Sequence, residues 1–419
     1  MIQNEMYSEI SSIYPPNVGI EIKKQADVLS NEMYMLERAK LNTLAPIESW
    51  TALGTNSQLA YATHGMFRYF GKFPPTIATY LINRFTKKGD LVIDPMSGSG
   101  TTAVESSILE RRCIVNDLNP LSYLLAKVKT TFIDEKLLLA TKKNIEKNYK
   151  PLKQSNYNFK PTALADPDHW FLPETSDSLR GLKHLIEQEK NKLVHDFLQI
   201  IFASTVRKVS KATTQQGRLF LDVESAEANA LPTFLKKFDI GIKGLQAIPK
   251  DPNIQYFNLD VKDLHLNIKE EKSKLIILHP PYFNSYKYSS INCLETGWLG
   301  IDRTQYRGKE IKEFFKIGKQ ENASKYVSDM ESVLKSTLPI LKKNGILALM
   351  IGDTVIKGDY IPVTRMLLDS LDYSTFKIET VAVRVPKYTE AAWVASQRRK
   401  TSNVGISLSD FIILIKRIK

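Results

Sequence analysis

The apolar run Leu91-Val92-Ile93 ends in Asp94 and passes straight into Pro95-Met96-Ser97-Gly98-Ser99-Gly100-Thr101-Thr102. No polar residue alternates with the apolar ones, which suits a parallel strand covered on both faces. A small-residue turn follows, then helix-forming sequence from Ala103 to Arg111. This is the strand–loop–helix order that lets a backbone approach a nucleotide-like ligand closely. The other reading of Gly98 and Gly100 is a simple tight turn. A second strand, Arg112 to Asn116, leads to Asp117, and folds of this kind hold a ribose diol at that point. The unit is expected to be right-handed and parallel.

Three further strands continue the alternation: Ile254–Asp260, which ends near Asp260 and Asp263, then Lys274–Leu278, then Gly345–Gly352. Thr375–Val385 and Asp410–Ile418 read as the last two. Val327, Met330, Leu334, Leu338 and Leu341 fall on one face of an amphipathic helix capped at Asn344-Gly345. Residues 1–60 read as an N-terminal arm, with helical character from Asn31 to Leu41. Between the second and third strands, residues 134–249 read as a mostly helical insertion. Core sequence is left at 61–133 and 250–419.

The chain has 419 residues, with 58 Lys+Arg against 45 Asp+Glu, a formal charge of +13. That excess fits a polyanionic partner as well as it fits a basic, solvated surface. Two cysteines, Cys113 and Cys293, exclude a disulfide framework and a cysteine-rich zinc site, so no metal is expected. The first residues lack a signal peptide's basic and apolar regions, and no apolar run approaches membrane-span length. A cytoplasmic protein without a membrane partner is expected. Arg207 to Arg218 is basic and amide-rich. Asn284 to Gln320 mixes Tyr286, Tyr288, Trp298 and Tyr306 with Lys287, Arg303 and Arg307. Ser396 to Ser402 is basic again. Phosphate contacts or solvated loops account for these stretches equally well.

Two motifs and one patch together resemble a known family. Asp94-Pro95-Met96-Ser97-Gly98-Ser99-Gly100-Thr101-Thr102 resembles motif I of the amino-group (N4-cytosine/N6-adenine) S-adenosylmethionine-dependent DNA methyltransferases. His279-Pro280-Pro281-Tyr282 resembles their motif IV, usually Asp/Asn/Ser-Pro-Pro-Tyr/Phe. Phe70-Gly71-Lys72-Phe73-Pro74-Pro75 resembles motif X, although alone it also reads as an apolar lid. The resemblance implies a Rossmann-like class I methyltransferase sheet, mostly parallel with an antiparallel last strand. It implies S-adenosyl-L-methionine as cofactor and double-stranded DNA as partner, with a cognate restriction endonuclease as a candidate second partner. A monomer or weak dimer is the default.

By the same resemblance His279 and the Pro280 carbonyl accept hydrogen bonds from the target amino group, Pro281 stiffens the corner, and Tyr282 stacks on a base extruded from the duplex. Asp94 meets the methionine amino group, and Ser97, Gly98, Gly100 and Thr101 form the cofactor loop. Asp117 takes the ribose hydroxyls, and Asp260 or Asp263 reads the adenine edge. Lys72 and Phe73 flank the methionine end. N4 of cytosine is preferred over N6 of adenine, because the cytosine enzymes more often depart from Asp at the first motif IV position. His279 itself departs from the pattern. At the reference histidine pKa of about 6.5, activity is expected to fall below that pH. An RNA guanine amino-methyltransferase shares both motifs and is the alternative enzyme. A DNA-binding module that keeps the cofactor but turns over weakly is the alternative of another class. Target recognition is assigned to 150–250 or 284–320.

Overall fold

The computed structural model describes residues 13–162, 164, 166–215, 218–268, 272–283, 288–311, 321–356, 359–385 and 409–419. The basic stretch Ser396 to Ser402, and Tyr286 and Lys287, lie outside them. The strands are β1 (Gly19–Lys24), β2 (Ile47–Leu53), β3 (Leu91–Asp94), β4 (Arg112–Asn116), β5 (Ala212–Gln215), β6 (Arg218–Leu221), β7 (Ile254–Phe257), β8 (Ser273–Leu278), β9 (Leu341–Ile356), β10 (Asp359–Ile361), β11 (Phe376–Arg384) and β12 (Ser409–Arg417). The main sheet runs β1-β2-β11-β12-β9-β8-β3-β4-β7, with β10 folded back on β9. β7, β4, β3, β8 and β9 are mutually parallel, while β12 is antiparallel to both β9 and β11. The fold is thus α/β, mostly parallel at its centre, with the last strand reversed.

The main helices are α1 (Ser30–Arg38), α2 (Pro75–Phe85), α3 (Thr101–Ile108), α4 (Pro120–Lys129), α5 (Glu135–Asn148), α6 (Pro173–Glu187), α7 (Lys192–Val209), α8 (Leu231–Leu245), α9 (Cys293–Leu299), α10 (Glu321–Thr337) and α11 (Val363–Leu368). Leu36 of α1, Met330 and Leu334 of α10 and Leu367 of α11 bury themselves against one sheet face. Ile77 and Leu81 of α2 and Ala103 of α3 cover the other. The insertion helices do not stand apart. Phe197, Ile201 and Phe238 share one apolar cluster with Val104 and Ile108 of α3, Leu121 and Leu125 of α4, and Trp298 of α9. No helix among the described residues is long and apolar enough to cross a membrane.

Several sequence expectations shift. The segment read as an N-terminal arm contributes β1 and β2, and β2 pairs in parallel with β11. The amphipathic helix stops at Thr337 rather than Asn344, because Pro339 lacks the amide that a helix interior needs. Asn344, at φ 63°, instead sits where the β8–β9 register slips. The basic run from Arg207 is not a loop throughout, since its C-terminal part forms the β5–β6 hairpin.

Candidate active site

The carboxyl ends of β3, β4, β7 and β8 open on a cavity of about 570 Å³, a size typical of cofactor sites. Its wall includes Lys72, Phe73, Ser97, Gly98, Thr101, Asp117, Asp260, His279 and Pro281. Residues from five separate stretches, proposed on sequence alone, therefore converge. Asp94, Gly100, Asp263, Pro280 and Tyr282 lie outside the wall.

The loop after β3 is folded by its own acids. Gly98 N donates to Asp117 Oδ2 at 2.8 Å, and Asn119 N donates to Asp117 Oδ1 at 2.9 Å. Asn116 clamps the neighbouring strand ends. Its amide donates to the carbonyls of Pro95 (3.0 Å) and Leu259 (3.1 Å), and its oxygen accepts from Leu259 N (3.0 Å). Gly98 and Gly100 both have left-handed φ, 48° and 73°. A Cβ on Gly98 would sit 3.2 Å from the Tyr69 ring, whereas one on Gly100 would sit 2.8 Å from the Ala126 Cα. Gly100 thus serves the packing of α3 on α4. Of the two glycines, only Gly98 lines the cavity.

Asp94 is fully buried behind the loop, where its carboxylate accepts from Met96 N at 3.2 Å. Burial pushes its pKa up to about 7. Asp117 rises to about 6 for the same reason. Of the two acids after β7, Asp260 reaches the cavity and caps the following turn through Lys262 N at 3.0 Å. Lys72, its pKa lowered by burial, donates to the His64 carbonyl at 3.0 Å.

Beneath the loop lies a polar core. Glu105 of α3 is fully buried and meets the hydroxyls of Tyr14 (2.9 Å), Tyr61 (2.7 Å) and Thr79 (2.6 Å) and His64 Nε2 (2.7 Å). Burial lowers the His64 pKa to about 4. Lys129 donates to the Ser99 carbonyl at 2.7 Å.

On the opposite wall, the Phe73 ring meets the His279 ring edge-on, with centroids 5.3 Å apart. Pro280 is buried, and the Pro281 carbonyl accepts from the Tyr326 hydroxyl at 2.8 Å. Tyr282, expected to stack on a base, instead donates its hydroxyl proton to Asp410 Oδ1 at 2.5 Å and lies 3.1 Å from His279 Nε2. Arg384 forms an ion pair with Asp410. Burial and then Arg384 drive the His279 pKa down to about 3. The activity loss expected below about pH 6.5 is therefore removed, because the imidazole stays neutral well below that value.

Sequence reading missed Tyr69, Asn116, Asn119 and Glu310, which also line the cavity, as does Tyr288 from the aromatic and basic stretch. Tyr69 and Tyr288 stack at 6.0 Å, and Ser289 donates through its amide and hydroxyl to Glu310. Arg207, at the start of the stretch read equally as a phosphate contact or a solvated loop, is bidentate to Glu295 at 2.6 and 2.7 Å.

A family model described as DNA methylase matches residues 12–127, which contain the motif X-like patch and the motif I-like loop. The Type II methyltransferase M.MvaI of Kocuria varians is 26% identical over 231 residues, 50% of each chain. M.BsoBI of Geobacillus stearothermophilus, also a Type II methyltransferase, is 24% identical over 302 residues, 62% of this chain and 57% of that one. The chain thus spans about half the length of the curated relatives it matches. Among solved structures, TrmN from Thermus thermophilus overlaps at TM-score 0.33 and 11% identity, covering 83% of this chain and 50% of that one. Over part of its length the chain is thus similar to the amino-group (N4-cytosine/N6-adenine) DNA methylases.

Proposed function

We propose that this chain moves a methyl group from S-adenosylmethionine to the exocyclic amino group of a base extruded from duplex DNA, N4 of cytosine ahead of N6 of adenine. We place it in the cytoplasm as the modification partner of a restriction endonuclease. The observation that carries this reading is the convergence of Phe73, Ser97-Gly98, Asp117, Asp260, His279 and Pro281 on one cavity. Both curated relatives bear the name Type II methyltransferase.

The donor set fits the cofactor. Ser97 Oγ and Asn119 Nδ2 are buried and have no hydrogen-bond partner among the described residues, and both residues line the cavity. Buried polar atoms of that kind call for a ligand's polar groups. Asp117 keeps lone pairs for a diol, and Asp260 sits where an adenine edge would be read. Asp94 acts from behind the loop: an ammonium placed there would draw off the proton that burial favours. When bound, S-adenosylmethionine supplies an electrophilic methyl group on a sulfonium.

The residues of the corner supply positioning and electrostatics. An amino group conjugated to a base ring is a poor nucleophile. Acceptors on its N–H bonds, His279 and the Pro280 carbonyl, draw the nitrogen toward tetrahedral geometry and free its lone pair. With the cofactor bound, its sulfonium would supply the methyl group to the nitrogen that His279 and the Pro280 carbonyl hold, and the proton displaced from that nitrogen would pass to solvent. Phe73, packed on His279, holds that imidazole against the cavity wall.

DNA contact is assigned to the insertion side. Arg68, Lys208, Lys236 and Lys237 lie close enough that the first three, together with burial, lower the Lys237 pKa. Such a cluster suits phosphates. Methyl transfer from labelled cofactor to unmethylated duplex DNA, with nucleosides identified by mass spectrometry and an RNA control, tests the reading. N4-methylcytosine is expected. N6-methyladenine would correct the base, and label confined to RNA would overturn the substrate.

A further inference from the structure

Tyr282, Asp410 and Arg384 form a chain of contacts behind His279, assembled from three places in the sequence. Asp410 opens β12 and Arg384 closes β11. Because β12 is reversed, its first residues lie at the same sheet edge as the last residues of β8 and β11. That edge is where His279 and Tyr282 emerge.

The protons in this chain can be counted. Asp410, paired with a guanidinium, is an ionised acceptor with nothing to donate. The Tyr282 hydroxyl has one proton, and the 2.5 Å contact commits it to Asp410 Oδ1. At the 3.1 Å contact with His279 Nε2, the phenol oxygen is therefore the acceptor and Nε2 carries the hydrogen. A neutral imidazole protonated on Nε2 keeps its lone pair on Nδ1. His279 makes no other hydrogen bond among the described residues.

We propose that Tyr282 and Asp410, anchored by Arg384, are positioning residues that lock His279 in the Nε2–H tautomer and so leave Nδ1 as an acceptor on a residue of the cavity wall. The lock explains how histidine serves where the family pattern has Asp, Asn or Ser. A side chain that is half donor and half acceptor becomes an acceptor only when its donor nitrogen is already engaged. The catalytic consequence rests on the methyl-transfer reading above, while the tautomer itself does not. The proposal also separates two roles of the fourth motif position. Where only a stacking ring is needed, Tyr and Phe are equivalent, as the family pattern allows. Where the hydroxyl is the relay, Phe fails.

Nitrogen-15 NMR of the full chain labelled at its histidine rings tests this, with the His279 signals assigned as those missing from His279→Asn. The wild type is expected to show a protonated Nε2 and a bare Nδ1. Tyr282→Phe is expected to lose that preference and to lower kcat about tenfold at saturating cofactor and DNA, with cofactor affinity unchanged. Asp410→Asn, which leaves the phenol free to turn its proton toward Nε2, is expected to push His279 toward the other tautomer. A wild-type Nδ1–H signal, or full kcat in Tyr282→Phe with the tautomer unaltered, overturns the lock. Wild-type protein that methylates no DNA would defeat the functional reading instead, and the NMR result would still stand or fall by itself.

Discussion

The sharpest test of the buried corner is the pH dependence of turnover. Unperturbed, His279 would titrate near pH 6.5, and at pH 5.5 roughly 90% of it would be protonated, with the acceptor lost. In the structure its pKa is lowered to about 3, first by burial and then by Arg384, so at pH 5.5 only about 0.3% is protonated. Arg384 and Asp410 back the ring, and Lys72, Asp117, Asp260 and Glu310 share its cavity. Of these, Asp117 titrates near 6 and bears on cofactor binding rather than on the acceptor. KM for the cofactor is therefore expected to drift between pH 5.5 and 7. The kcat at saturating cofactor and DNA is expected to stay within about twofold from pH 5.5 to 8, once the solvent's own pH effect is corrected. Steady-state kinetics with labelled cofactor over that range reads both quantities. A kcat limb centred near pH 6.5, present in the wild type and absent in His279→Asn, would show that the imidazole is not held neutral and would refute the reasoning.

Gly100→Ala places a methyl 2.8 Å from the Ala126 Cα at a backbone φ of 73°. Left-handed strain and overpacking together should cost about 2–5 kcal/mol in urea unfolding, with little change in m, and a loss under about 1 kcal/mol would contradict the α3–α4 contact. Asp94 has a folded-state pKa near 7, above its unfolded value, so its contribution to stability is fully present below about pH 4 and is lost as pH rises through 7. Asp94→Asn should flatten that decline in thermal melts from pH 4 to 8. Glu105→Ala removes the acceptor that four buried groups share, and at roughly 1–3 kcal/mol for each group left without a partner the protein should melt far earlier. Glu105→Gln, which keeps the shape and an acceptor, should be milder, and equal melting of the two variants would deny that the hydrogen bonds matter.

Much of this could be read from sequence because parallel strands buried on both faces are written as unbroken apolar runs. Leu91–Asp94 and Lys274–Leu278 needed nothing else, and each hands its site residues to the same edge. The loop acids Asp117 and Asp260 were legible because an acid at a strand tip has few structural uses. What escaped was whatever depends on strand order. Tyr282 and Asp410 are 128 positions apart, and only the antiparallel placement of β12 between β9 and β11 makes them neighbours. Nothing local to Ser409–Arg417 announces that its second residue meets a tyrosine and an arginine. Glycine exposed a different gap: Gly98 and Gly100 are alike in sequence, and only the approach of α4 distinguishes them. Pro339 was a local signal that the apolar spacing overrode: the period runs on to Leu341, but the helix ends at Thr337.

The place of β12 also sets an order of events during synthesis. It is the last strand among the described residues and lies in the interior of the sheet, between β9 and β11. Until residues 409–417 clear the ribosome, β9 and β11 have no common neighbour, and the edge formed by β11, β2 and β1 cannot close onto the parallel half. The nascent chain must wait with two half-sheets, their facing edges unpaired, in the condition most exposed to wrong pairing. The same delay keeps Asp410 from Tyr282, so the corner around His279 takes shape only when the sheet closes. A nascent chain that has not yet reached residue 409 holds the motif-like stretches at 70–75, 94–102 and 279–282 and still lacks the strand that joins its halves.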